Sequence, residues 1–189
     1  LITTLDPDTN IINFTAVNFG NSANYSNGVA WTNEKSSMTS YVTGLPNSPT
    51  DLGTCWEAGL QGGIDRVNQA RENDNLKNNE TYVLFVTDGN PNGWVDRWGN
   101  YQQQTAGLFV QAAYDAAVPK ANTLAGLCHF YGIFCGDADG YAHLNDLITE
   151  AGGEDVINGD TTTAIESAFE DIATTIVNNL GAGSVVVIS

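Results

Sequence analysis

Asp88 closes the apolar run Tyr82-Val83-Leu84-Phe85-Val86, after Thr87 and just before the turn formers Gly89, Asn90 and Pro91. An apolar run of this length between polar turn residues predicts a strand covered on both faces, as in a parallel sheet. A carboxylate at the carboxyl end of such a strand stands where open α/β sheets bind their ligands. The same Asp-Gly pair also suits an ordinary turn. Upstream, Gly53-Thr54-Cys55-Trp56-Glu57 opens a helix, because Trp56, Leu60, Ile64 and Val67 recur at helical spacing. Thr54 with Glu57 has the form of a capping box, which makes Thr54 a candidate N-cap.

The stretch Asn90 to Gln104 is rich in Asn, Gln, Trp and Gly. Within it Trp94, Trp98 and Tyr101 alternate with Asp96, Arg97 and Asn100, the composition of a recognition surface for protein anchors or for sugars that stack on Trp. The alternative is that these aromatics fold back to cover the loop. Since the stretch follows directly on Asp88, a ligand-binding rim of Asn90, Asn92, Trp94, Trp98 and Tyr101 is expected around the crevice. Enzymatic chemistry has little support: there is no Gly-x-Ser-x-Gly elbow, no Gly-rich phosphate loop and no Ser-His-acid set on one rim. With no Cys-x-x-Cys and only His129 and His143, a zinc site is disfavoured. Asp6-Pro7-Asp8-Thr9-Asn10 and Asp137-Ala138-Asp139-Gly140 are partial calcium-loop spacings, expected to be solvated turns. The sequons at Asn13, Asn24 and Asn79 read as accidents of an Asn-rich chain.

The elements that must position these residues alternate as β and α units. A strand at Ile11 to Phe19 leads through a turn-rich stretch to an edge strand at Val29 to Trp31 and a helix at Glu34 to Val42. The loop Gly44 to Gly53 then reaches Thr54. Beyond the aromatic stretch comes a helix carrying Leu108, Phe109, Ala112, Ala113 and Ala116, which Pro119 either kinks or restarts. Ile165, Phe169, Ile172, Ile176 and Leu180 form the stripe of a last helix stopped by Gly181. Val185 to Ile188 have strong β character and predict a strand.

In its order of motifs the chain resembles the von Willebrand factor type A domain. The Thr at a helix start followed by a strand ending in Thr-Asp-Gly, the strand Asn13 to Gly20, and the tail from Phe130 through Leu144 to Gly153 and Ile165 to Leu180 all look like that family. The resemblance implies a Rossmann-like, doubly wound, mostly parallel α/β sheet with helices on both faces. It further implies a metal site with Thr54 as hydroxyl ligand and Asp88 as carboxylate ligand, direct or through water. Such hard oxygen donors suit Mg²⁺, Mn²⁺ or Ca²⁺.

One departure stands out. The family's first, central strand carries Asp-x-Ser-x-Ser, which supplies most of the metal's side-chain ligands, and that motif is absent here. Leu1 to Leu5 look like the end of the helix after that strand, so the resemblance implies a missing first β-α unit and weak or absent cation binding. An open sheet without its central strand leaves two interior edges unpaired, which is costly. An upstream segment, a strand from another chain, or Val185 to Ile188 must fill the slot. The domain is accordingly expected to span residues 1–183, with 184–189 as a strand leading onward or pairing elsewhere. Cys128 and Cys135 lie too far apart on one strand to bridge each other. Cys55 and Cys135, both expected near the carboxyl ends of adjacent strands, are the more attractive pair, against ordinary buried thiols.

Composition narrows the partners. The 189 residues carry 22 acidic and 6 basic side chains, a formal charge of −16, which disfavours nucleic acid and anionic membranes. No apolar run reaches transmembrane length. With an amino terminus read as incomplete, the lack of a signal sequence says nothing about export. The expectation is a non-enzymatic adhesion or ligand-binding module of an exported or cell-surface protein, its partner a protein or glycan on another cell or matrix. The alternative is a structural subunit of a surface filament, its metal site non-functional and its central slot completed by a neighbouring subunit.

Overall fold

The computed structural model describes residues 12–44, 53–105, 107–159, 161–179 and 183–189. In chain order the elements are β1 (Ile12–Asn18), β2 (Ser26–Thr32), α1 (Lys35–Gly44), α2 (Trp56–Glu72), β3 (Glu80–Thr87), β4 (Gly93–Val95), β5 (Tyr101–Gln103), α3 (Gln111–Ala125), β6 (His129–Phe134), α4 (Ala138–Glu150), β7 (Val156–Asn158), α5 (Thr162–Asn179) and β8 (Gly183–Ile188). Six strands form one sheet in the order β2-β1-β8-β3-β6-β7, while β4 and β5 form a separate two-stranded hairpin. Every neighbouring pair in the large sheet is parallel except β1 with the edge strand β2. The fold is thus α/β and Rossmann-like, as expected.

Strand alternation divides the core into two layers. From β3, Val83 and Phe85 join Phe130, Phe134, Val186 and Ile188 in one apolar cluster with Trp56 and Leu60 of α2, Leu124 of α3 and Leu144 of α4. Tyr82 and Leu84 point the other way and pack with Phe14, Ile133 and Val185 against Met38 of α1 and Ile172 of α5. Helices therefore cover both faces, and the near-continuous apolar runs of β3 and β8 follow from that double burial.

The tail strand takes the interior slot. Val185 pairs with Phe14 on one side and Tyr82 on the other, and Val187 with Ala16 and Leu84, all in parallel register. β8 therefore belongs to the body of the sheet, and the division of the chain at residue 183 does not mark a structural boundary. α2 crosses this centre closely: a side chain at Gly62 would collide with Val17, and one at Gly63 with Ile188. Pro119 lies within α3 without ending it, its ring on the exposed side. The final helix forms with Ile172 buried. Leu180 and Gly181, the side chains of Ile165, Phe169 and Ile176, the segments Leu1 to Leu5 and Asp6 to Asn10, and residues 45–52 of the loop before Thr54 lie outside the described residues.

With β8 between two partners, the amides of Val185 to Val187 should exchange with solvent deuterium only through global unfolding. Ile188→Ala, which removes a fully buried side chain, should cost about 2–5 kcal/mol in denaturant unfolding. Exchange at the rate of a free peptide would refute the central placement.

Candidate functional site at the carboxyl end of the sheet

β3 ends at Thr87, whose carbonyl accepts the Cys135 amide at 2.8 Å, and Asp88 emerges exposed at the next position. β8 ends beside it at Ile188, and Ser189 follows. The Ser189 N–H donates to Val17 O and its C=O accepts from the Phe19 N–H, both at 2.9 Å. α2 starts on the same crest. Thr54 Oγ1 stands 2.7 Å from where a Cβ on Gly89 would lie, so the Asp88-Gly89 turn and Thr54 pack together only because residue 89 is glycine. Two further ties fix this contact. The Thr54 N–H donates to Asn92 Oδ1 at 2.8 Å, and its C=O accepts from the amides of Asn92 and Gly93 at 3.0 and 3.2 Å. The Trp56 indole N–H lies 3.1 Å from Gly89 O and 3.3 Å from Thr87 Oγ1.

The expected capping box does not form. Cys55 is the N-cap of α2, without a side-chain cap bond, because the backbone of Thr54 is already committed to Asn92 and Gly93. Glu57 instead accepts the Val95 amide at 2.9 Å and ties the hairpin to α2. Sequence reasoning missed this anchor, since a capping-box pattern and an acid reserved for a distant amide look alike.

Thr54 and the Asp88 turn are adjacent, yet together they offer one hydroxyl and one carboxylate. Ca²⁺ takes about 6–8 oxygen ligands, and Mg²⁺ demands near-ideal octahedral geometry. Among the described residues no group of three or more His, Cys, Asp or Glu could hold a metal ion. The side chains present do not fit a tightly held divalent cation.

The aromatic stretch folds as the β4–β5 hairpin, pairing Trp94 with Gln102 and Val95 with Tyr101. Its tip is organised by Asp96, whose carboxylate accepts the amides of Trp98 and Asn100 at 2.9 Å and the Gln102 side chain at 3.0 Å. These bonds, the one from the Asn100 backbone first, hold the Asp96 carboxyl below its usual range. Gly99 supplies the positive φ of 84° that closes the turn. Trp98 is left 71% exposed, with the Arg97 guanidinium 4.1 Å from its ring centroid.

The rest of the expected rim is internal. Asn92 is fully buried and serves Thr54. Asn90 is buried, 2.8 Å from His143 Nδ1, and the His143 ring stacks on Phe109. Trp94 and Tyr101 are half-buried. The side-chain oxygens of Asn90 and Asn92 are committed to His143 and Thr54 inside the loop cluster, whereas the Tyr101 hydroxyl is buried without a hydrogen-bond partner among the described residues. Asp137 caps α4 by accepting the Gly140 amide at 2.8 Å, as a turn residue does.

The Cys55–Cys135 bridge is not formed; all three cysteines are free. Cys55 caps α2 on one face of the sheet, whereas Cys135 packs with the layer on the other face. Burial pushes the Cys55 thiol up to about 11 and the Cys128 thiol to about 12. Burial likewise raises Tyr101 to about 12.

Compared with protein-family models, with curated proteins and with solved structures, the chain matches none.

Asn92→Ala leaves the Thr54 amide without its acceptor and should cost about 1–3 kcal/mol by urea unfolding. Alkaline titration should show the buried thiol. Below pH 9 Cys55 is protonated in both folded and unfolded chains and has no effect. From pH 9 to about 11 only the unfolded chain ionises it, so stability should fall as pH rises through that window. Thermal unfolding should show a shallower fall in Cys55→Ala; an identical slope would sink the assignment.

Proposed function

We propose that this chain is a non-enzymatic adhesion or ligand-binding module of an exported or cell-surface protein, with its recognition surface formed by the Asp88 crest and the adjoining hairpin tip. The observation that carries this reading is Trp98, held 71% exposed on a tip already ordered by Asp96. Trp and Arg are, with Tyr, the residue types enriched among interface hot spots. Because the tip is preorganised and tied to α2 through Glu57, little ordering entropy is lost on binding. The ligand is a protein or glycan on another cell or matrix. The resemblance to the von Willebrand factor type A domain supports the choice of crest. With Thr54 and Asp88 as its only proposed side-chain ligands, a divalent cation at that crest would be weakly held, and recognition rests on the hairpin tip.

The filament-subunit reading is weaker. Its motive was a central slot in need of a neighbouring subunit's strand, and β8 occupies that slot within the chain.

The reading is tested on glycan and extracellular-matrix protein arrays. Trp98→Ala should lower binding by about 2 kcal/mol or more, roughly thirtyfold, without loss of stability. Equal binding by wild type and variant on every bound probe would remove the hairpin from recognition. Calorimetric titration of the chain with Mg²⁺, Mn²⁺ and Ca²⁺ should give dissociation constants of about a millimolar or weaker. Micromolar affinity abolished by Asp88→Ala would show that the donor set is larger than the two side chains argued here.

A further inference from the structure

At the opposite end of the sheet, the amino ends of β3 and β6 and the carboxyl end of α2 border a half-open, mainly polar cavity of about 390 Å³. His129 organises one part of it. Its ring stacks on Tyr82, with centroids 4.6 Å apart, and places Nδ1 2.7 Å from Glu154 Oε1 and Nε2 3.8 Å from Glu80 Oε2. The Tyr82 hydroxyl adds a 3.0 Å hydrogen bond to Glu80. Two carboxylates are thereby gathered at the cavity. From α2 and the segment after it come Arg71, whose guanidinium makes one long 3.4 Å contact to Leu127 O, and Lys77, paired with Asp74 on the surface. Leu76 and Leu127 give the lining an apolar part.

The charge balance of this lining differs from that of the rest of the molecule. Acids outnumber bases 22 to 6 along the chain, yet this lining carries Arg71, Lys77 and His129 together with Glu80 and Glu154. A simple anion would meet both carboxylates, and a simple cation Arg71 and Lys77. A ligand with one carboxylate and one ammonium satisfies both sets and carries no net charge for the −16 chain to repel.

We propose that this cavity is a binding site for a zwitterionic α-amino acid with an apolar side chain. The Arg71 fork takes the carboxylate bidentately with Lys77 beside it, Glu80 and Glu154 take the ammonium, and the side chain lies against Leu76 and Leu127. The site is independent of the crest and of its proposed function.

The test is an amide-resolved NMR titration of the full chain with leucine, leucine amide and N-acetyl-leucine, each to about 10 mM, the range of millimolar affinities. Leucine should shift the amides around Arg71, Glu80 and His129. Each blocked analogue should bind about tenfold more weakly. Arg71→Gln should reduce leucine to the affinity of its amide and leave the amide unchanged, and Glu154→Gln should do the same relative to N-acetyl-leucine. Both changes are at the surface, so folding is preserved. Equal affinity for all three compounds, no shift at these amides, or equal weakening of leucine and its amide by Arg71→Gln would each overturn the proposal.

Discussion

The hydrogen bonding of the slot between β1 and β3 governs everything else in this fold. Both neighbours are parallel strands with their backbone groups facing inward, where water cannot satisfy them. β8 pairs with both along its length, and its side chains complete the two apolar layers at once. Without it the sheet would be two half-sheets with exposed edges, and α2 would have no floor against which to seat its glycines.

A second constraint acts at the crest. Parallel strands that all end on one side leave loops there with few regular hydrogen-bond partners, so side chains must supply them. Asn92, Trp56 and Glu57 do so for Thr54, the Asp88 turn and the hairpin respectively. The outcome is an ordered loop cluster in which Asn90 and Asn92 are buried and one large aromatic, Trp98, is presented to solvent. Order of this kind favours recognition, because a preordered surface loses less entropy when it is covered.

The two ends of the sheet differ in chemistry. At the carboxyl end, Asp88 and Trp98 stand exposed. At the amino end, Arg71 of α2 and Lys77 of the α2–β3 connection line one cavity with Glu80 of β3 and Glu154 of the α4–β7 loop, the two acids gathered around the His129 imidazole. Parallel topology produces this polarity, because each helix carries the chain back from one end to the other.

The apolar run before Asp88, the helical spacing from Trp56 and the tail helix were each legible from composition and periodicity, since they reflect local backbone preference and burial. So was the β character of Val185 to Ile188. Of the expected site residues, Thr54 packs against Gly89 in the turn after Asp88, and Trp98 is exposed. What could not be read was which partner each polar group would take. Asn90 and Asn92 have the composition of a rim and are buried, Glu57 completes a cap pattern and instead holds a hairpin 38 residues away, and Cys55 and Cys135 end on opposite faces. Local sequence therefore determined the elements and their order, because periodicity records how many faces of an element are buried. Only the tertiary structure decided that β8 is central and that the Asn92 side chain serves the Thr54 amide, because strand order and side-chain pairing depend on distant backbone groups whose need for partners leaves no local trace.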